Sequence, residues 1–250
     1  MLRTKMSVDP LVLIPGMMCD ARLWWPFLSE LSAERSLHLP AIAGAETISE
    51  MASAVLASAP EKFAMLGFSM GGIVAMDVIR RAPERVTRVM FMDTSPLAET
   101  PNQAAAREPH ITRAKAGRLE YVMRDEVIPS LLRADHKRDD IAELMLDMAL
   151  SLGPDVFVAQ SRALQRRDDQ QGTLRRIRVP CSVVCGEFDA LTPPRRHEQM
   201  ADLIPRANLE IIGGIPYPDF GVAKRNAARP SQLAGGLTRP RYRRQLLGSV

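Results

Sequence analysis

The sequence predicts an α/β protein with a mainly parallel, doubly wound sheet and a helical insertion. Short continuous apolar runs, which are typical of strands buried on both faces, alternate with stretches of helical pattern. This alternation favours parallel strands with helices on both faces of the sheet. The segment 97–176 differs, because it is rich in Ala, Leu, Arg and Glu and has no strong strand run. We expect several short helices there.

Apolar runs, prolines and charged residues indicate where the predicted strands and helices begin and end. Leu-Val-Leu-Ile at 11–14 is an apolar run that Pro15 ends, and Pro60 and Pro83 follow two helical stretches that they cannot continue. Arg80 and Arg81 put positive charge at a helix carboxyl end, where the helix dipole favours it. The predicted order is strand 11–14, helix 21–31, strand 36–42, helix 48–59, strand 63–66, helix 73–82, strand 86–92, insertion 97–176, strand 181–185, helix 194–204 and strand 209–212.

The length and composition fit a globular protein with a substantial core. The chain has 250 residues, of which 46% are hydrophobic and 25% are charged. We expect a core formed by 1–96 and 177–214, a helical lid at 97–176 and a disordered basic tail at 215–250. The lid would cover the carboxyl ends of the strands, where α/β sheets bind ligands.

The net charge of +4 is unevenly distributed along the chain. Residues 215–250 contain six Arg, one Lys and one acidic residue, a balance of +6, so residues 1–214 sum to −2 by subtraction. Because this excess lies in one tail with little aromatic content, we expect no nucleic-acid partner. The run at 11–14 is far too short to span a membrane, so we expect no membrane association either.

Cysteine usage and the lack of ligand-binding motifs limit the function classes. Cys19, Cys181 and Cys185 match no common zinc spacing, and we interpret them as reduced thiols in a cytoplasmic protein. No phosphate loop, dinucleotide motif or metal cluster is found, so we expect no cofactor and no metal. The sequence does not indicate an oligomeric state.

The segment Gly67-Phe-Ser-Met-Gly71 fits the pattern Gly-x-Ser-x-Gly. An apolar strand precedes it and an amphipathic helix follows it, which is the context that a nucleophile on a strand-turn-helix elbow requires. Small residues two positions before and after the serine let the strand and the helix approach each other. We therefore predict that Ser69 is a catalytic nucleophile. The alternative is a serine that caps an ordinary helix.

With this elbow, the chain resembles the α/β-hydrolase superfamily, in particular the small bacterial lidded esterase and lactonase type. The resemblance covers 11–213 and implies the α/β-hydrolase fold and an acyl-enzyme mechanism. It also implies that the backbone N–H groups of Met17 and Met70 bind the oxyanion. Pro15 stands where the family usually has a histidine. The motifs that carry the resemblance are the elbow, Leu11-Val-Leu-Ile-Pro-Gly-Met-Met18 and Cys185-Gly-Glu-Phe-Asp-Ala-Leu-Thr-Pro193.

The resemblance implies an acid and a base as well. Asp189 matches the family's acid position, although it could instead form an Asx-turn or cap a helix before Pro193. Asp93 is the alternative acid, because some members of the family place it after the corresponding strand. The base should be a histidine shortly after the strand at 209–212, and none is there. For the four histidines we expect surface or lid roles, with base function for one of them as an alternative: His38, His110, His136 and His197.

The tail suggests a reason for the missing base. Hydrophobic periodicity ends after Gly214, and residues 216–225, back-translated and read one nucleotide later, can spell His-Ile-Pro-Thr-Leu-Glu-Ser-Pro. This resembles the family's histidine loop and the start of its last helix. We hypothesise a frameshift near codons 212–216, with loss of the final helix. A sequencing error or a genuine disordered basic extension would be alternatives.

The sequence thus predicts a serine hydrolase of carboxylic esters by lineage, impaired in this chain because the base is missing. Met17, Met18 and Met70 fall around the expected pocket, and adaptable thioether side chains suit a small to medium acyl ester. Three alternatives stay open. The chain could be a lactonase or carbon–carbon bond hydrolase, a non-catalytic ligand-binding protein, or a nonfunctional frameshift product.

Overall fold

A six-stranded parallel sheet forms the centre of the computed structural model, which describes residues 9–132 and 139–213. The strand order is β2-β1-β3-β4-β5-β6, and every neighbouring pair is parallel. The predicted α/β class with a parallel sheet is confirmed. The strands are β1 (Leu11–Ile14), β2 (Leu37–His38), β3 (Phe63–Phe68), β4 (Val86–Met92), β5 (Cys181–Gly186) and β6 (Ala207–Ile212).

Helices cover the sheet and fill the segment between β4 and β5. Short 3-10 turns at Ala21–Trp24 and Pro83–Arg85 and a π-helical turn at Val122–Val127 accompany them. The helices are α1 (Trp25–Glu34), α2 (Ile48–Ser58), α3 (Met70–Arg81), α4 (Pro101–Ala106), α5 (Glu108–Lys115), α6 (Leu119–Tyr121), α7 (Ile128–Leu131), α8 (Asp139–Leu152), α9 (Pro154–Gln165), α10 (Gln171–Leu174) and α11 (Pro194–Leu203). We call residues 97–176, which contain α4 to α10, the helical insertion.

Burial explains why the strand signals differ in strength. β1 and β3 are buried along their whole length, which accounts for their unbroken apolar sequence. β6 lies at the edge of the sheet and is only half-buried, in agreement with the polar residues in its sequence. A capping box fixes the start of α2, because Thr47 Oγ1 accepts the Glu50 N–H and Glu50 Oε2 accepts the Thr47 N–H, each at 3.1 Å.

Several predicted boundaries differ from those in the structure, and two of the differences bear on the site. The strand expected at 36–42 is only Leu37–His38, and Pro40, which has no N–H to donate, follows closely. The helix expected at 73–82 begins three residues earlier, at Met70. Gly71 and Gly72 weaken the helical pattern there, but close packing requires both of them, because a Cβ would overlap Ile14 O at Gly71 and would lie 2.6 Å from Thr94 Oγ1 at Gly72. The predicted tail at 215–250 and the predicted loss of a final helix lie outside the described residues.

Two further findings concern the thiols and the membrane. Cys19, Cys181 and Cys185 are all free thiols. Within 9–132 and 139–213, no helix is long and apolar enough to cross a membrane.

Arg85 joins the end of α2 to the start of β4. Its guanidinium donates to the backbone oxygens of Leu56, Ala59, Pro60 and Glu61 at 2.7–3.2 Å. It also lies over the buried Phe63 ring, 5.5 Å from the ring centroid. Carbonyl groups at a helix carboxyl end have no partner inside the helix, and here the guanidinium supplies one.

We expect Arg85→Ala to lower the free energy of unfolding by about 1–3 kcal/mol, because several carbonyl groups lose a charged donor. Arg175→Ala is the control, since that side chain is exposed and has no ion pair within the described residues. Its change should stay within about 0.5 kcal/mol. Urea denaturation measures both, and equal losses in the two variants would contradict the role given to Arg85.

Candidate active site

Ser69 occupies a strained turn between β3 and α3. Its backbone has φ 52° and ψ −117°, a region that residues other than glycine rarely adopt. Such a conformation costs about 1–3 kcal/mol and persists only where the surrounding structure holds it. Here the Ser69 N–H donates to Met92 O at 2.9 Å, and Ser69 O accepts the Thr94 hydroxyl at 2.7 Å. The turn is therefore anchored to β4 and to the residues after it.

Glycines allow the elements around Ser69 to approach this closely. A Cβ placed on Gly71 would overlap the backbone oxygen of Ile14 and would lie 2.6 Å from Pro15 O. A Cβ on Gly67 would lie 2.7 Å from the Cα of Gly72. Both positions of the Gly-x-Ser-x-Gly pattern thus face backbone rather than flexible side chains. The pattern is required for packing as well as for the turn.

The residues expected to bind an oxyanion lie beside Ser69. Met17 and Met70 both line the same cavity as Ser69. Met70 is the first residue of α3, and the amide of a first helical residue has no acceptor within its helix. The loop after β1 is held by Met18, whose N–H donates to the buried Gln160 Oε1 at 2.8 Å. Gln160 belongs to α9, and no sequence motif indicated this contact.

Asp189 is buried and well supplied with hydrogen-bond donors. Its Oδ1 accepts the N–H groups of Leu191 and Thr192, both at 2.8 Å, and its Oδ2 accepts the Thr192 hydroxyl at 2.6 Å. The side chain thus forms the Asx-turn named above as an alternative to the acid role. The two roles are compatible, because a carboxylate that accepts several hydrogen bonds is also held in one orientation.

Asp93 lies next to Asp189 and has a different environment. It follows β4 directly with φ 45°, and its Oδ1 accepts the Gly186 N–H at 3.1 Å. Its buried Oδ2 has no hydrogen-bond partner within the described residues. Burial and the charge of Asp189 raise the pKa of Asp93 well above its usual range, and the Gly186 N–H opposes this only in part. A protonated Asp93 is therefore favoured, which makes it a donor rather than a second carboxylate.

His197 is buried, which corrects the expected surface or lid role. It lies on α11, where Met200 on the same side of the helix is also buried against the core. Its Nε2 accepts the Thr94 N–H at 3.1 Å, and its Nδ1 lies 3.4 Å from Pro193 O. Burial lowers the pKa of His197, so a neutral ring is favoured. The amphipathic pattern of α11 carried this signal, but the sequence did not show which residue faces Thr94.

The other histidines differ in their distance from the cavity. His110 lines the cavity from α5, with its Nε2 3.2 Å from Glu126 Oε2. His38 lies on β2 at the edge of the sheet and is half-buried. His136 lies outside the described residues. In 9–132 and 139–213, no hydrogen bond joins a histidine to Ser69 or to Asp189.

The cavity lies between the sheet and the helical insertion and has a volume of about 450 Å³. Cys19 lines it together with Ser69, but burial and the charge of Asp20 raise the pKa of Cys19 to about 12. Its thiol therefore stays protonated and is a poor nucleophile. Over the described part of the chain, no group of His, Cys, Asp and Glu could hold a metal ion. Much of the lining is apolar, including Met123, Leu131, Leu144, Met145, Met148 and Phe157.

Comparisons with known proteins agree with this architecture. The sequence model of the alpha/beta hydrolase family matches residues 11–243. The pimeloyl-[acyl-carrier protein] methyl ester esterase of Pectobacterium carotovorum is 29% identical over 197 residues, which cover 73% of this chain and 77% of that protein. The enzyme of the same name from Edwardsiella ictaluri is 28% identical over 227 residues, covering 84% and 86%.

Solved structures share the fold. A thermophilic esterase from Thermogutta terrifontis aligns with a TM-score of 0.81 and 24% identity, covering 90% of this chain and 89% of that one. An enol-lactonase from Burkholderia xenovorans aligns with a TM-score of 0.76 and 18% identity, covering 91% and 90%.

We expect Gly71→Ala to destabilise the protein by more than about 2 kcal/mol, because the new Cβ would meet backbone oxygens that cannot move aside. Alanine's higher helix propensity, about 1 kcal/mol, acts in the opposite direction and is too small to compensate. Gly44→Ala is the control, since a Cβ there meets nothing within 4 Å. Thermal and urea denaturation compare the two variants. A Gly71→Ala protein as stable as the wild type would refute the packing argument.

We also expect Asp93→Asn to change how stability depends on pH. A group whose pKa is raised by folding stabilises fully below its unfolded pKa, about 3.9, and this contribution is lost as the pH rises through its folded pKa. Asparagine keeps the acceptor for Gly186 and does not ionise. Above about pH 4, the wild type should therefore lose stability relative to Asp93→Asn.

Urea denaturation of both proteins at several pH values tests this expectation. Asp168→Asn, which removes an exposed carboxylate, is the control and should show the same dependence of stability on pH as the wild type. A constant difference between the wild type and Asp93→Asn across the pH series would show that Asp93 titrates normally.

Proposed function

The chain belongs to the alpha/beta hydrolase family, and from this premise we propose that it is a carboxylic ester hydrolase of the acyl-enzyme type with Ser69 as its nucleophile. The observation that carries the proposal is the strained φ of 52° at Ser69 on the wall of a ligand-sized cavity. An ordinary helix cap needs no such strain, and Ser69 makes no side-chain capping hydrogen bond.

The proposed reaction has two steps. Ser69 Oγ attacks the ester carbonyl carbon, and the backbone N–H groups of Met17 and Met70 donate to the oxyanion. Collapse of this intermediate breaks the bond to the alcohol oxygen, which takes up the proton that Ser69 Oγ lost, and leaves an acyl group on Ser69. Water then attacks the acyl group by the same route and releases the acid. Each oxyanion donor contributes about 3–4 kcal/mol to the stability of the transition state.

We propose Asp189, rather than Asp93, as the acid of the triad. An acid in this position must stabilise a positively charged imidazole, which requires a carboxylate. The raised pKa of Asp93 makes it a poor candidate, and its position beside Asp189 suits a supporting role instead. The helical insertion, whose residues line the cavity opposite the sheet, is proposed as the lid.

Among the described residues, no general base for Ser69 is identified. No described histidine is hydrogen-bonded to Ser69 or Asp189, and the stretch proposed to have lost the histidine lies beyond Gly213, outside the described residues. Without a base, only the oxyanion donors and substrate binding support catalysis. We therefore propose that the chain hydrolyses esters slowly, and that a carboxylic ester such as a methyl ester, the substrate type named for its relatives, fits the cavity.

One further candidate function has support of its own. A ligand-sized cavity is present although no described histidine is hydrogen-bonded to Ser69. This combination favours a ligand-binding protein without turnover. A lactonase would use the same groups as the esterase, and only the shape of the pocket would separate the two.

We expect the chain to hydrolyse p-nitrophenyl acetate very slowly. A version carrying the shifted frame from codon 216, which restores the His-Ile-Pro-Thr-Leu-Glu-Ser-Pro sequence, should be at least about a thousandfold faster. Ser69→Ala in that version should abolish the gain. Release of p-nitrophenolate is followed spectrophotometrically for all three proteins.

One control variant and three distinct outcomes separate the alternatives. His110→Asn in the original chain tests the one described histidine that lines the cavity, and loss of the slow activity would identify it as the base. Rapid turnover by the original chain that depends on Ser69 would overturn the account of a missing base. A folded but inactive restored version would overturn the frameshift hypothesis. Stoichiometric ligand binding without turnover would favour the binding protein.

A further inference from the structure

Three arginines and one glutamate line the cavity and form what we call the arginine cluster: Arg107, Arg167, Arg196 and Glu99. Arg107 Nη2 lies 2.7 Å from Glu99 Oε1, and Arg107 Nε lies 3.0 Å from both carboxylate oxygens. Arg167 Nη1 is 3.9 Å from the same Glu99 oxygen. The members come from both ends of the helical insertion and from α11, so the tertiary structure alone brings them together.

The cluster has more positive than negative charge. Three arginines and one glutamate carry formal charges of +3 and −1, so the formal balance is +2. The Glu99 and Arg167 side chains are only 5% and 13% exposed, which limits compensation by water. No ion pair is found for Arg196 in the described parts of the chain. Burial, together with the charges of Arg107 and Arg196, lowers the pKa of Arg167 to about 10 although Glu99 opposes the shift.

The cluster also lies close to the proposed reaction centre. Arg107 Nη1 is 3.8 Å from the sulfur of Met17, whose backbone N–H is proposed to bind the oxyanion. Arg167 is held in place by donation from its Nε to Leu97 O at 2.9 Å. Thr192, which binds Asp189, and Arg196 line the same cavity. An anion in the cavity would therefore reach the cluster without leaving the space that contains Ser69.

We propose that the cavity binds esters whose acyl part carries a second, free carboxylate, and that the arginine cluster holds this carboxylate. A guanidinium presents paired donors that match the two oxygens of a carboxylate, and in a partly buried site such a pair is strong. The apolar lining by Leu131, Leu144 and Met145 suits the alkyl chain between the two ends. That the ligand is an ester rests on the proposed function, whereas binding of a carboxylate by the arginine cluster does not.

A purely structural role would leave part of the cluster unexplained. The contacts of Arg167 with Leu97 O and Glu99 already join the two ends of the helical insertion, and Arg107 already has Glu99 as its partner. Arg196 adds a like charge beside Arg167 and raises the electrostatic cost of the site. A buried excess of one charge is unfavourable unless a partner neutralises it. An anionic ligand would supply that partner.

Binding to the Ser69→Ala protein tests the inference without turnover. Linear dicarboxylic acids of increasing chain length are supplied as monomethyl esters, which carry one carboxylate, and as uncharged dimethyl esters. Isothermal titration calorimetry near neutral pH should show the best monomethyl ester binding about tenfold or more tightly than its dimethyl counterpart, as expected for one charge-assisted hydrogen-bonded pair. This comparison needs no change in the cluster.

Arg196→Gln and Arg195→Gln form the matched pair of variants. Arg196 lines the cavity, whereas the adjacent Arg195 is exposed and does not. Arg196→Gln should weaken binding of the monomethyl ester about tenfold and leave the dimethyl ester nearly unchanged, and Arg195→Gln should change neither. Equal affinity for the two esters, no binding of any monomethyl ester, or equal effects of the two variants would overturn the inference.

The same measurements keep this inference separate from the proposed function. If the restored-frame protein hydrolyses uncharged esters but shows no preference for the monomethyl ester, the proposed function stands and the carboxylate site is wrong. If charge-selective binding is found and no ester is hydrolysed, the carboxylate site stands and the hydrolase proposal is wrong.

Discussion

The close approach of β1, β3 and α3 at Ser69 is the constraint on which the site depends. Backbone atoms of Ile14 and Pro15 occupy the space where a side chain at Gly71 would lie. Ser69 adopts a φ of 52° between them, and hydrogen bonds to Met92 and from Thr94 hold it there. The cost of this strain, about 1–3 kcal/mol, is small beside the burial of β1 and β3, so the fold tolerates it.

Buried polar contacts extend this constraint to the acidic side of the site. Thr94 donates its hydroxyl to Ser69 O and its N–H to His197 Nε2. His197 in turn belongs to α11, the helix that follows the Asp189 loop. The turn that carries Ser69 and the loop that carries Asp189 are therefore linked through two side chains. Because Thr94 and His197 are both buried, losing either contact would leave an unsatisfied polar group, and the two loops are expected to keep a fixed relation.

The helical insertion determines the chemical character of the cavity. It contributes an apolar wall, which includes Leu144 and Met145, and most of the arginine cluster. It also contributes Gln160, which binds the Met18 N–H and so holds the loop after β1. The insertion thus has two effects, because it shapes the space above Ser69 and supports the loop that contains Met17. A change within the insertion can alter the site without touching the sheet.

The sequence by itself determined the fold class, the order of the strands along the chain and the location of the Gly-x-Ser-x-Gly turn, because apolar runs, prolines and glycines act locally. It could not determine where α3 begins, since packing around Gly71 decides this boundary, or that β2 pairs with β1 over only two residues. Only the tertiary structure decided that His197 is buried against Thr94, that Asp93 lies beside Asp189 and that Arg167 lies beside Glu99. Each of these contacts joins residues far apart in the chain, and no local pattern encodes which distant side chain will fill the space beside another.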